Sequence, residues 1–255
     1  VEIREYGFKE TGENMPYAVF VSSKIVKGQK APLVLALHGY SGNYGTFMRS
    51  GCVEEAEKNG YILVGVMGYS PTAPFGNTNM FGGRKDLPAA PGPARAAPPK
   101  VMPGMQGPAI GGTRETDPAR ISELSEIDTM RVLELVRKEF DVDDDRIFLM
   151  GHSMGGAGAL YLGEKYAPVW AAVACIAGFG SPDPKGKLKD TPLYFTAGSE
   201  DNLGAMGRTT AEQLKAAGLD VQWKELPGLD HGSIIAGSMP DVFEFFNRHP
   251  RKPGK

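Results

Sequence analysis

Five short stretches of this sequence are almost wholly apolar, and segments of helical character separate them. They are "PLVLALHG" (Pro32 to Gly39), "YILVGVMGY" (from Tyr61), "RIFLMG" (from Arg146), "WAAVACIAG" (Trp170 to Gly178) and "PLYFTAG" (Pro192 to Gly198). Continuous apolar runs of this length read as strands buried on both faces. Between them, "TFMRSGCVEEAEKNG" reads as a helix closed by Gly60. "SELSEIDTMRVLELVRKEF" places Val132, Leu133, Val136 and Phe140 on one helical face, with acids near its start and Arg137 and Lys138 near its end, as the helix dipole favours. "GGAGALYLGEKY" and "TTAEQLKAAG" read as further helices, "VQWKEL" as the last strand and "PDVFEFFNRH" as the last helix. Strands alternating with helices predict an α/β fold with a mostly parallel sheet covered on both faces. Ahead of them, "EIREYGF" and "YAVFVS" flank a turn-like "TGEN" and predict an antiparallel N-terminal hairpin.

The alternation lapses from Ser70 to about Arg120. Twelve of the 25 residues from Pro88 to Gly112 are Pro or Gly, so neither helix nor strand can persist there. The segment carries Phe75, Met80, Phe81, Met102, Met105 and Ile110. A lid or pocket wall is one reading, and an irregular surface excursion is the other. The whole chain of 255 residues, 1–255, is expected to form a single domain with this insertion at about 70–120.

Composition narrows the function classes. A formal net charge of −2 gives no general attraction to nucleic acid or to anionic membranes. No apolar stretch reaches the ~18–20 residues needed to span a bilayer. Cys52 and Cys175 fall in a helix and a strand and are expected to be free buried thiols. No Cys/His cluster suggests a metal, and no cofactor is expected. The chain opens on Val1 rather than Met. A removed signal peptide and a trimmed start both account for that, and export is the expectation carried forward over a cytoplasmic location.

The decisive motif is "RIFLMGHSMGGAGALYL". A strand leads into Gly151-His152-Ser153-Met154-Gly155 and then into a helix. In G-x-S-x-G at such a junction, the glycines clear room for a serine held at a sharp turn, and the helix N-terminus points its free N–H groups at the same place. A P-loop would need Lys and Ser/Thr after the second glycine, and a dinucleotide fingerprint would need a third glycine where Tyr161 stands.

A serine hydroxyl needs a base, and the base needs an orienting carboxylate. His152 lies on the turn itself, His38 ends the third strand and His249 follows the last helix. His231, in the loop "LPGLDHGS" after the last strand, is the base by elimination. The acid is expected between Ser153 and His231 in chain order, in "FTAGSEDNL", with Asp201 ahead of Glu200. Asp230 reads as a loop-forming residue. The oxyanion donors are expected to be the backbone N–H groups of Met154 and Tyr40. Tyr40 and Phe75 are the candidates for contact with substrate.

"LALHGYSGN", "DVDDDRIFLMGHSMGGAGALYLGEKYAPVWAAVACIAG", "TAGSEDN" and "LDHGS", in this order, resemble the α/β-hydrolase superfamily from roughly Pro32 to Pro250, outside the insertion. The stretch Asp141 to Gly178 is similar to the polyhydroxybutyrate-depolymerase-like and feruloyl-esterase-like branch, which is related to the prolyl oligopeptidase catalytic domain. The resemblance implies an α/β-hydrolase fold and a catalytic triad at Ser153, Asp201 and His231. It implies a serine esterase of carboxylesterase type acting on small acyl, aryl, hydroxycinnamoyl or polyester-type esters. The Pro-rich insertion departs from the shorter segment of such esterases. The alternatives are a serine peptidase with the same triad and a catalytically dead binding protein. The expected partner is a small or polymeric ester, and the oligomeric state is not legible.

Overall fold

A computed structural model of the chain describes residues 1–78 and 111–251. Eight strands form one sheet: β1 (Glu2–Phe8), β2 (Glu13–Val21), β3 (Ala31–Leu37), β4 (Ile62–Val66), β5 (Val142–His152), β6 (Ala172–Ile176), β7 (Leu193–Gly198) and β8 (Val221–Leu226). Their spatial order is β1-β2-β4-β3-β5-β6-β7-β8. β1 and β2 form the antiparallel hairpin, and β2 joins β4 antiparallel. From β4 to β8 every pairing is parallel. The hairpin turn is tighter than the sequence suggested, because β2 starts at Glu13 rather than Tyr17. Pro16 is tolerated there because β4 pairs only with Tyr17–Val21, so no second neighbour needs its missing N–H.

The helices are α1 (Cys52–Asn59), α2 (Pro118–Glu139), α3 (Met154–Lys165), α4 (Gly204–Ala216), the one-turn α5 (Ile234–Gly237) and α6 (Met239–Arg248). The first is shorter than its apolar pattern predicts. Gly51 adopts φ 88°, which breaks any helix arriving from Thr46, and the Glu54 carboxylate accepts from the Gly51 N–H to start α1 afresh. By contrast α2 begins four residues before Ser122. Asp117 caps it through the Ala119 N–H at 3.2 Å, and Pro118 occupies a first-turn position whose N–H would be unpaired anyway.

Side-chain alternation along the strands divides the core in two. Val34 and Ala36 of β3 face one layer with Cys52, Tyr61, Phe243 and Phe246. Leu33, Leu35 and Leu37 face the other, with Val132, Val136, Leu160 and Leu214. Each fully buried Leu or Phe side chain stabilises the fold by about 1.5–3 kcal/mol. Both cysteines are buried and free. Among the described residues no helix is long and apolar enough to cross a membrane.

Candidate active site

The carboxyl ends of β3, β5, β7 and β8 bring the expected groups to one edge of the sheet. β5 ends at His152, α3 starts at Met154, and Ser153 sits between them at φ 55°, ψ −115°. Such a backbone is strained for a residue with a side chain, and it holds only where surroundings enforce it. Here the Ser153 N–H donates to the Ile176 carbonyl at 2.8 Å, and the Ala157 N–H donates to the Ser153 carbonyl at 3.1 Å. The flanking glycines make the turn possible. A Cβ on Gly151 would stand 2.0 Å from the Gly155 carbonyl oxygen, and one on Gly155 would stand 2.2 Å from that of Leu37.

Asp201 follows β7 and His231 follows β8, two adjacent parallel strands. His231 Nδ1 lies 2.8 Å from Asp201 Oδ2, and the other oxygen, Oδ1, accepts from the Leu203 N–H at 2.8 Å. The carboxylate side chain is 1% exposed while the imidazole is 36% exposed. A sheltered carboxylate thus orients a ring that solvent can reach. Glu200 is exposed and its side chain has no polar partner among the described residues. Asp230 turns its own loop, with Oδ1 accepting from the Gly232 and Ser233 N–H groups at 2.9 and 2.7 Å. Ser153 Oγ and His231 share no hydrogen bond in this conformation. Such contacts are often long in the absence of substrate and tighten in the complex.

The Met154 N–H opens a helix, so it has no acceptor within α3. The Tyr40 N–H lies in the turn after β3. Neither donates to another group among the described residues, whereas the neighbouring Ser41 and Gly42 N–H groups donate to Pro71 and Gly39. Tyr40 is 54% exposed. His38 anchors this turn from inside, with Nδ1 2.7 Å from the Gly39 carbonyl and Nε2 2.7 Å from that of Met67. Burial pushes its pKa down against the pull of those carbonyls, so the neutral ring donates to one of them.

Phe75 corrects one expectation. It does not face a pocket but is fully buried, with its ring 5.2 Å from that of His38 and packed over Gly68 and Gly158. It supports the turn after β3 through the His38 ring. The two ends of the insertion are joined to each other. The Gly112 N–H donates to the Tyr69 carbonyl at 2.7 Å, and Glu13 accepts from the Tyr69 hydroxyl and from the Thr113 and Arg114 N–H groups. Met80, Phe81, Met102, Met105 and Ile110, and with them the lid expectation, lie outside the described residues. His249 is remote from the site, its Nδ1 2.7 Å from the Phe245 carbonyl. No group of three or more His, Cys, Asp or Glu side chains among the described residues is arranged to hold a metal.

Solved structures share this architecture. A ferulic acid esterase from Anaeromyces mucronatus, solved with ferulic acid, superposes with a TM-score of 0.67 at 15% identity, covering 97% of this chain and 89% of its own. An S-formylglutathione hydrolase from Agrobacterium tumefaciens gives 0.65 at 17% identity, covering 97% and 94%. The chain has the α/β-hydrolase fold. Within this fold the Esterase family model, described as a putative esterase, matches residues 120–227. That stretch holds the serine turn and Asp201. The acyl-protein thioesterase 1 of Gibberella zeae is 29% identical over 112 residues, which cover 39% of this chain and 48% of that protein. The matched stretch therefore spans about half the length of that curated relative. Ser153, Asp201 and His231 could be singled out because each lies just after a strand. The role of His38 was not readable, because its second partner is 29 residues away in sequence.

Proposed function

We propose that this chain is a serine hydrolase that cleaves carboxylic esters through an acyl-enzyme on Ser153. The observation that carries the reading is the His231–Asp201 contact of 2.8 Å beside a strained serine turn with two unpaired N–H groups. His231 Nδ1–H donates to Asp201, which leaves Nε2 as the proton acceptor. Ser153 Oγ attacks the ester carbonyl as Nε2 takes its proton. The carbonyl oxygen becomes an oxyanion and accepts from the Tyr40 and Met154 N–H groups. When the intermediate collapses, the acyl C–O bond breaks and the alcohol leaves with the proton from Nε2. Water then repeats the sequence on the acyl-enzyme.

The resemblance and the esterase neighbours support small acyl, aryl, hydroxycinnamoyl or polyester-type esters. Tyr40, exposed in the turn after β3, is the candidate for contact with the acyl or the alcohol part. The thioesterase relative brings thioesters into the same class, since they form the same acyl-enzyme. A panel of p-nitrophenyl acetate and butyrate, methyl ferulate, a short polyester, an acyl thioester and a prolyl anilide tests the reading. Hydrolysis of esters or thioesters with an inert anilide is expected. Anilide cleavage faster than ester cleavage would favour the peptidase, and inertness to all six would favour a dead scaffold.

A further inference from the structure

The residue just before the nucleophile makes a contact that the mechanism above does not use. His152 ends β5 and is buried, 7% exposed. Its Nε2 lies 2.6 Å from the backbone carbonyl oxygen of His231, and the two imidazole rings are 4.7 Å apart at their centroids. A carbonyl only accepts, so Nε2 carries the hydrogen and donates it. Nδ1 then holds the lone pair. It faces Gly39 of the oxyanion turn, where a Cβ would stand 2.7 Å away, and it has no polar partner among the described residues. One ring is thus wedged between the backbone that carries the nucleophile, the loop that carries the base and the turn that carries an oxyanion donor.

We propose that His152 is a positioning residue, whose Nε2–H holds the His231 carbonyl and so fixes the base relative to Ser153. The inference rests on His231 being the base. Asp201 controls the orientation of the His231 ring but not the position of its backbone, since the carboxylate touches only Nδ1. Among the described residues, the His231 carbonyl accepts from no group other than the His152 ring. Burial lowers the pKa of that ring to about 4, with its bond to the His231 carbonyl opposing and the neighbouring imidazole assisting. The ring therefore remains a neutral donor, without adding a second positive charge, while His231 takes the serine proton. A displacement of the base by about 1 Å is enough to cost on the order of 100-fold in rate.

Two substitutions separate this role from simple space filling. His152→Gln places an amide N–H near the lost Nε2–H but fills less volume. His152→Phe fills the volume and donates nothing. On p-nitrophenyl butyrate, the Phe variant is expected to lose about 10- to 100-fold in kcat with KM nearly unchanged. Fluorophosphonate labelling should slow in parallel, and the Gln variant should stay within about threefold of the parent. The reverse ranking, an active Phe variant and a slow Gln variant, would mean the ring only fills space. His231→Ala is measured alongside. If it keeps the parent rate, the base assignment fails and the positioning role falls with it. If it is inactive while the Phe variant matches the parent, the positioning role alone fails. Should neither variant fold, long-range proton–nitrogen NMR on the unaltered protein decides. A His152 ring in the Nε2–H tautomer, neutral at pH 6, is expected. An Nδ1–H tautomer or a charged ring at that pH would overturn the proposal.

Discussion

Ser153 holds a backbone conformation that only its surroundings make tolerable, and the fold gains nothing from a hydroxyl there. Ser153→Ala should therefore leave the melting temperature close to that of the parent, while kcat on a small ester falls by about 10⁴-fold or more, because triad members act as a unit. Retention of a tenth of the rate would exclude Ser153 as nucleophile. The two neighbouring acids are separable in the same assay. Asp201→Asn should remove most activity, since an amide cannot stabilise the imidazolium. Glu200→Gln should cost less than about twofold, because its side chain contacts no polar group. The opposite ranking would contradict the 2.8 Å geometry. At this scale the sequence was legible wherever chemistry demands a residue type in a fixed chain order. That logic picked out Ser153, Asp201 and His231, which the structure places just after β5, β7 and β8. It misread Phe75, because an aromatic in an irregular segment looks available to a ligand. Only the tertiary structure brings Gly68 and Gly158 together to receive its ring.

The elements were legible where apolar runs are long and illegible where caps decide. β6 to β8 lie where their apolar or alternating runs stand, whereas β5 starts at Val142, four residues before the apolar run that begins at Arg146. The start of α2 was missed because Asp117-Pro118 carries no apolar periodicity, only a cap and a proline at the first turn. The overlong reading of α1 came from following periodicity across Gly51, whose positive φ no apolar pattern reveals. The clamp at the root of the insertion is another contact between distant elements, from Glu13 on β2 to Tyr69 and Thr113. Burial works against the Glu13 charge, but the Tyr69 hydroxyl and the Thr113 N–H outweigh it and hold the carboxyl at about 2. A carboxyl depressed in the folded state stabilises above its unfolded pKa, and that contribution is lost as pH falls from about 4.5 toward 2. Glu13→Gln should narrow the difference in melting temperature from the parent over that window. At pH 7 it should melt a few degrees lower, since hydrogen bonds to a charged group contribute about 1.5–3 kcal/mol. An unchanged melting temperature at pH 7 would mean the clamp adds no stability.

At the scale of the molecule, the parallel sheet brings Ser153, Asp201 and His231 to one edge, and one buried acid ties the hairpin to the helical layer. Asp128 of α2 is fully buried, and the Tyr6 hydroxyl of β1 donates to its Oδ1 at 2.6 Å. Burial raises its pKa to about 7, with the Tyr6 bond pulling the other way. Between about pH 4 and pH 7 the folded chain therefore keeps a proton that the unfolded chain has released. Stability from this group is full below about pH 4 and is lost as pH rises to 7. Asp128→Asn is neutral throughout and lacks this slope. Its stability relative to the parent, from denaturant midpoints, should climb from pH 4.5 to 7 and then level off. Parallel curves would show that Asp128 is ionised in the fold.

The central claim is that the strained serine is the group that becomes acylated. The direct measurement is peptide mass mapping after reaction with a small fluorophosphonate, on the parent and on Ser153→Ala. One adduct per chain is expected, on the peptide that carries Ser153, and none on the variant. An adduct on another residue, or equal labelling of the variant, would contradict the account.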